Sequence, residues 1–456
     1  MTLLNAASLF ALPPALPKLA DLDFKPPKGT RAVLDNGLVV YLMKDNTLPV
    51  VHMTAYIRTG KLNDPIEKIG LGEMTASLLK DGGTQKYKPE EIDKTLEFLA
   101  ASVESSMGIE EGRADLTTLT KDLDTVLDIY ADVLMHPAFA ADKVKLRRDE
   151  MLELIRRRND DPGREAVREA LRAFYGPAHP YGWRSEEATV NAITIDDLKA
   201  YHANYYKPNN IILAVAGDFS SDEEMLGKLK ARFGAWPRGE VKFPVIPPVR
   251  IKGARQVFHI EKDIAQAYIV VLQKALKRHD PLEHPLSITN EMLGGGLSSR
   301  LAAEIRSRRG LAYTVYSYAA KKPDYGYELA YCGTKPESAA QATAEILRQF
   351  KLITEAAAPD DEVKRAKDAI INSFVFRFPT PFDLITERAS YEYYGYPADY
   401  LDNYVEKLAE VDPAAVLAVS KELFKPDDAM IFVIGNSKKF DKPLSDFGPV
   451  TELKED

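Results

Sequence analysis

Glu73, Ala76 and Ser77 stand at i, i+3 and i+4 in the stretch "GLGEMTASLLKDGGT", Gly70 to Thr84, so on a helix they share one face. A His-x-x-Glu-His zinc site uses that spacing: two imidazoles bind the metal, and the glutamate between them takes a proton from metal-bound water. Here a carboxylate replaces the first imidazole, a methyl group replaces the base, and a hydroxyl replaces the second imidazole. The stretch therefore predicts a helix with the geometry of a metal site, no catalytic metal and no hydrolytic chemistry of its own.

No other residues make up the loss. His279 and His284 in "HDPLEH" are five positions apart with Pro281 between them. That is about 140° round a helix, so the segment reads as a loop and helix start rather than a ligand set. His52, His136, His179, His202 and His259 are scattered singly and read as structural. Cys332 is the one cysteine, which excludes an internal disulfide and a thiolate cluster; within "YELAYCG" it reads as a small buried hydrophobe. The run "LGGGLSSRLAAEIRSRRGLAYTVYS", Leu293 to Ser317, is glycine-rich but lacks the spacing of a phosphate loop. Its glycines permit a close backbone turn, Ser298 or Ser299 can cap the following helix, and the run ends in a strand.

These residues need a large framework, and the chain supplies one. At 456 residues it exceeds the size at which single cores usually stop growing, so two or more domains are expected. Hydrophobic residues at 45% and charged residues at 28% are the balance of a globular protein. A net charge of −8 without a basic patch argues against a nucleic-acid partner. The opening "MTLLNAASLFALPPALP" has the apolar length of a signal peptide but no basic start, and reads as a trimmed or degenerate export signal. Export, to the periplasm or beyond, is the expectation this supports, with the cytoplasm as the alternative. No other run approaches the ~18 apolar residues needed to cross a bilayer.

The framework is written twice. "YYKPNNIILAVAGDF" from Tyr205 and "LFKPDDAMIFVIGNS" from Leu423 share an aromatic, Lys-Pro, a polar pair and an apolar run closed by Gly217 or Gly435. Pro208 and Pro426 are 218 positions apart; Val144 in "DKVKLRRD" and Val363 in "DEVKRAKD" are 219 apart. Two anchors with nearly one offset indicate a duplicated half, each half holding strands, long amphipathic helices such as Leu123 to Met135 and Asp142 to Arg158, and a closing strand. In the second of these helices Val144, Leu146, Met151, Leu154 and Ile155 repeat at helical spacing. The fold expected is α+β: helices packed on a mixed sheet, twice, with domains at 21–235 and 254–456. The proline-rich stretch from Ala235 to Gly253 joins them as an extended linker over 236–253.

The metal-like helix with its flanking "GL", "LL" and "GGT", and the whole run from Leu293 to Ser317, resemble the M16 (pitrilysin or insulinase-like) metallopeptidases from about Thr30 to Asn436. The resemblance implies a clam-like fold of two homologous halves. It also implies that Glu153 holds the place of the third zinc ligand; with Glu73 it reads as a polar residue facing a wet cleft. Arg306 and Tyr313 hold the places of an arginine and a tyrosine that reach the active site of the zinc-bearing half in this family. Some bacterial members are heterodimers in which one subunit has the zinc and the other has this pair. The resemblance therefore implies that this chain is the second kind, with zinc in the partner subunit, a peptide substrate, and Arg306 and Tyr313 acting in trans. The alternative is a non-enzymatic scaffold of the same fold.

Overall fold

The computed structural model describes residues 25–249, 253–324 and 326–454. The apolar opening segment and the last positions of the linker, 250–252, lie outside the described residues. In the first half β1 (Thr30–Val33), β2 (Val39–Lys44), β3 (Val50–Ile57), β4 (Ser102–Met107), β5 (Gly112–Leu119) and β6 (Ile211–Gly217) form one sheet in the order β1-β2-β6-β3-β5-β4. In the second half β7 (Gln256–Glu261), β8 (Ala267–Lys274), β9 (Ala312–Ala320), β10 (Tyr327–Thr334), β11 (Met430–Gly435) and β12 (Val450–Leu453) run β12-β7-β11-β8-β10-β9.

Without β1 and β12, the two orders coincide strand for strand. In each half the closing strand pairs parallel with the first strand, β6 with β2 and β11 with β7, and antiparallel with the next, β3 or β8. Pro208 and Pro426 each open a short 3-10 turn that feeds the closing strand, as the repeated Lys-Pro motif predicts. The sixth strand breaks the repeat: β1 is antiparallel to β2, whereas β12 is parallel to β7.

Every residue of β6 and of β11 is buried, so these strands are covered on both faces. One face of each sheet packs on helices of its own half. The other face is covered by a helix from the opposite half. The helix Pro381–Tyr393 lays Leu384, Ile385 and Ala389 on Tyr41, Met43, Ile212 and Ala214 of the first sheet. The helix Pro162–Tyr175 lays Ala166, Ala170 and Phe174 on Ile260, Val270, Leu272 and Phe432 of the second. Each fully buried large side chain in such a layer contributes about 1.5–3 kcal/mol. The halves are thus interlocked by exchange of helices as well as joined by the linker.

Charged contacts pin the exchange. Glu110, in the β4–β5 loop, binds Arg278 at 2.6 Å and Lys322 at 2.7 Å, both from the second half, and all three are largely buried. Burial opposes ionisation of Glu110, but the two cations hold its carboxyl below the usual range. On the other side, Glu165 of the first half meets Lys262 at 2.8 Å. The linker is held as well: Asn204 exchanges two hydrogen bonds with Lys242, and Asn209 two with Gly239.

The helix Ala141–Arg156 departs from its sequence reading. Val144 and Met151 are buried, but Leu146 and Leu154 are exposed, so the packed stripe is narrower than the five apolar positions suggest. Leu154 instead lines a cavity beside the metal-like helix.

Candidate functional site

The segment Leu71–Asp81 is a helix. Gly70 enters it at φ 108°, a left-handed conformation that favours glycine. The Asp64 carboxylate then accepts from the backbone N–H of Gly70 and of Gly72, both at 2.8 Å, satisfying the first turn. Burial pushes the Asp64 carboxyl up to about 7, against the opposing effect of those two bonds.

The three metal-like positions have other occupations. Glu73 is paired with Lys61 Nζ at 2.6 Å and Arg147 Nη2 at 3.5 Å. Ala76 is 0% exposed and belongs to the apolar core, where its carbonyl accepts from the Ser105 hydroxyl. The Ser77 hydroxyl turns back to the carbonyl of Met74. Glu153 sits on an exposed helix face with Arg156 at 3.8 Å, and shares no partner with Glu73. A cleft position is thus found for Glu73 alone; Glu153 is turned outward because its helix buries Val144 and Met151 instead. These residues do not fit zinc: one carboxylate is neutralised by a lysine, no imidazole is present, and the place of the base is a methyl group in the core. Among the described residues there is no group of three or more His, Cys, Asp or Glu that could hold a metal ion.

The histidines have structural partners. His52 faces Thr117, and His136 pairs with Asp132. His179 accepts from the Tyr181 N–H while stacked on Tyr175. His202 meets the Leu134 carbonyl, and His259 lies between Glu452 and the Gly435 carbonyl. His279 and His284 flank a helix start, against Tyr396 and Tyr400. Cys332 is buried, which pushes its thiol up to about 12.

The glycine turn is closely packed. A Cβ on Gly294 would fall 2.2 Å from the Ser317 backbone nitrogen, so only glycine fits beneath β9. Gly294 and Gly295 end one wide π-helical turn, Glu291–Gly295, and a second, Ala302–Arg308, stands where an ordinary helix is expected after the serines. Ser299, not Ser298, receives the next segment, its hydroxyl facing Ala302 N at 3.4 Å and its carbonyl accepting from Ala303 N at 2.8 Å. Arg306 comes from the second π-helical turn and Tyr313 from the start of the edge strand β9, beside an irregularity in its pairing with β10. The two side chains meet, with the Arg306 guanidinium 5.2 Å from the Tyr313 ring centre. Tyr313 is 79% exposed, so its hydroxyl is presented outward.

Between Glu73 and β9 lies a trough that the sequence reading missed. A cavity of about 370 Å³ contains Lys61 and Glu73; a second of about 700 Å³ reaches Thr314, Tyr316 and Tyr331. Ile109, Arg168, Tyr181, Trp183 and Arg184 line both, so the two adjoin along those side chains. One signal was legible: Arg164, Arg168 and Arg172 are four apart and so share one face of the Pro162–Tyr175 helix.

A doubled α+β fold, a metal-like helix without metal ligands and an intact glycine turn define a catalytically incomplete peptidase-like protein. The family model "Insulinase (Peptidase family M16)" matches residues 39–178, and that for the "Peptidase M16 inactive domain" matches 192–370. Between them they span most of the chain, which belongs to peptidase family M16. Two relatives from Helicobacter pylori align with nearly all of it. The zinc protease PqqE is 23% identical over 418 residues, 88% of this chain and 91% of its own. The non-peptidase homolog YmxG is 23% identical over 419 residues, 90% of this chain and 95% of its own. Among solved structures, a peptidase M16 inactive domain from Pseudomonas fluorescens has the same fold, with a TM-score of 0.82 at 24% identity over 91% of this chain and 99% of that one.

Proposed function

We propose that this chain is the metal-free subunit of a two-subunit M16 peptidase, and that it lends Arg306 and Tyr313 to a zinc site carried by a separate M16 chain. The observation that carries this reading is the contrast between its two halves. The first half has its metal-like helix closed by Lys61, while the second presents a guanidinium and a phenol side by side at the surface. Those two groups suit acyl-transfer chemistry: both can donate to a peptide carbonyl as water attacks and negative charge grows on its oxygen. The occurrence in one bacterium of both a zinc protease and a non-peptidase homolog similar to this chain supports a division of labour between two subunits. Leu146 and Leu154, exposed on one helix, offer apolar surface for such a partner or its substrate. The opening apolar segment supports an exported complex, which fractionation of cells would check.

The test is reconstitution. Mixed with a zinc-bearing M16 chain from the same organism, this chain should co-elute on gel filtration and raise peptide hydrolysis well above that of either chain alone. Co-elution without any gain in hydrolysis would favour a scaffold.

A further inference from the structure

The trough runs beneath the edge strand that carries Tyr313, and its lining is cationic in a protein of net charge −8. Arg158 and Arg168 form a fixed wall. Arg158 donates to the Ser185 carbonyl and Glu186; Arg168 donates to Glu169, the Arg158 carbonyl and Asn159. Burial opposes ionisation of Glu186, but Arg158 and Arg184 hold its carboxyl below the ordinary range, so these ion pairs persist at neutral pH.

Two further cations are only lightly engaged. Arg172 reaches Glu186 at 3.6 Å, beyond hydrogen-bond length, and Arg164 meets Asp161 at 3.3 Å with most of its side chain in solvent. Lys61, by contrast, is already paired with Glu73 at 2.6 Å. Trp183, which lines both cavities, has a buried indole N–H without a partner among the described residues. Tyr181, Tyr316 and Tyr331 supply ring surface alongside. Donors and positive charge are in surplus here, and the aromatic surface suits side chains rather than a small inorganic ion.

We propose that this trough binds an extended peptide segment bearing Asp or Glu side chains, whose carboxylates meet Arg164 and Arg172 while apolar neighbours lie on the tyrosines and on Trp183. A half that has lost its metal thereby keeps a role in choosing substrate, holding acidic sequence within the same molecule that offers Tyr313. This rests on the peptidase-subunit reading for its biological sense. It is tested on the isolated chain, so its failure and the failure of that reading are separately visible.

The experiment is calorimetric titration of the purified full chain with four short capped peptides built on Leu and Phe. One carries Asp and Glu, one the corresponding Asn and Gln, one Lys, and the fourth has no charged side chain and is capped only at its N-terminus, leaving a free C-terminal carboxylate. The acidic peptide should bind at least about tenfold tighter than its amide counterpart, shift Trp183 emission, and weaken as salt rises. The double variant Arg164→Gln, Arg172→Gln should lose about tenfold in affinity while keeping the parent's melting temperature, and Trp183→Phe should abolish the emission change. Equal binding of acidic and amide peptides, tighter binding of the Lys peptide, binding of the free-carboxylate peptide alone, or no binding at all would overturn the proposal.

Discussion

The guanidinium of Arg306 rests on the ring of Tyr313, 5.2 Å from its centre, although the two residues come from different elements. The ring face is engaged while the hydroxyl has no hydrogen-bond partner among the described residues, so one tyrosine both positions a cation and offers a donor. If the pair serves the oxyanion of a partner's substrate, Tyr313→Phe keeps the platform and removes only the donor. Turnover of the reconstituted complex should fall by roughly a hundredfold with co-elution unchanged. Arg306→Ala should act similarly and also raise KM. Unchanged turnover in a fully assembled complex would reduce Tyr313 to strand surface.

Lys61 decides what restoring the metal ligands achieves. Glu73→His, Ala76→Glu and Ser77→His recreate the i, i+3, i+4 ligand spacing, with Glu153 already in the chain. Ala76 is buried in the core, and Lys61 brings a fixed positive charge to the position of Glu73. The triple variant should bind zinc weakly, and adding Lys61→Ala should tighten binding by tenfold or more. Metal analysis after dialysis against a zinc buffer decides it. No difference between triple and quadruple variants would show that Lys61 does not control the site.

Glu328, in β10, is 1% exposed, and neither carboxyl oxygen has a hydrogen-bond partner among the described residues. Burial raises its pKa from 4.5 to about 8, against the opposing effect of the nearby Ser317 hydroxyl. The folded chain therefore holds a proton that the unfolded chain releases, and stability is full below about pH 4.5 and lost as pH rises towards about 8. Glu328→Gln should be more stable than the parent by a few kcal/mol at pH 9, with the gap narrowing as pH falls to 5. Urea midpoints at the two pH values measure this. A gap independent of pH would show that the carboxyl does not titrate.

Glu110 holds Arg278 and Lys322 across the two halves. Glu110→Gln leaves two largely buried cations without a counter-charge and should cost about 3–5 kcal/mol. The loss should appear as one cooperative transition moved to lower urea, because the halves share their layers. Two separated transitions would show that the halves unfold independently.

Much of this architecture is legible in the amino-acid sequence. The Lys-Pro turns at Pro208 and Pro426 marked the duplication, since proline fixes the entry to a strand whatever follows. The metal-like helix was readable because ligand spacing is local; Arg306 and Tyr313 stood out only through a family resemblance, and nothing in their spacing announced that the two side chains meet. Contacts between distant segments were hidden. Lys61 opens a single 3-10 turn, Lys61–Asn63, with no motif of its own, and only folding carries it to Glu73. The apolar face of Pro162–Tyr175 announces a helix that must be covered but not which sheet covers it. Glu328 sits in a run that otherwise reads as core, where no local pattern flags an orphaned carboxyl.

The exchange of helices between the halves bears on how such a chain can descend. Once each half roofs the other's sheet, neither can be discarded when its chemistry lapses. Deleting the first half would strip Pro162–Tyr175 from Ile260, Val270 and Phe432 and expose their sheet to water. A half released from catalysis is then held by its neighbour's need for shelter while its surface stays free to change. Glu73, Ala76 and Ser77 lie on the helix Leu71–Asp81, outside the layer that Pro162–Tyr175 shelters, so what stands at those positions and the shelter given to the second sheet are independent of each other.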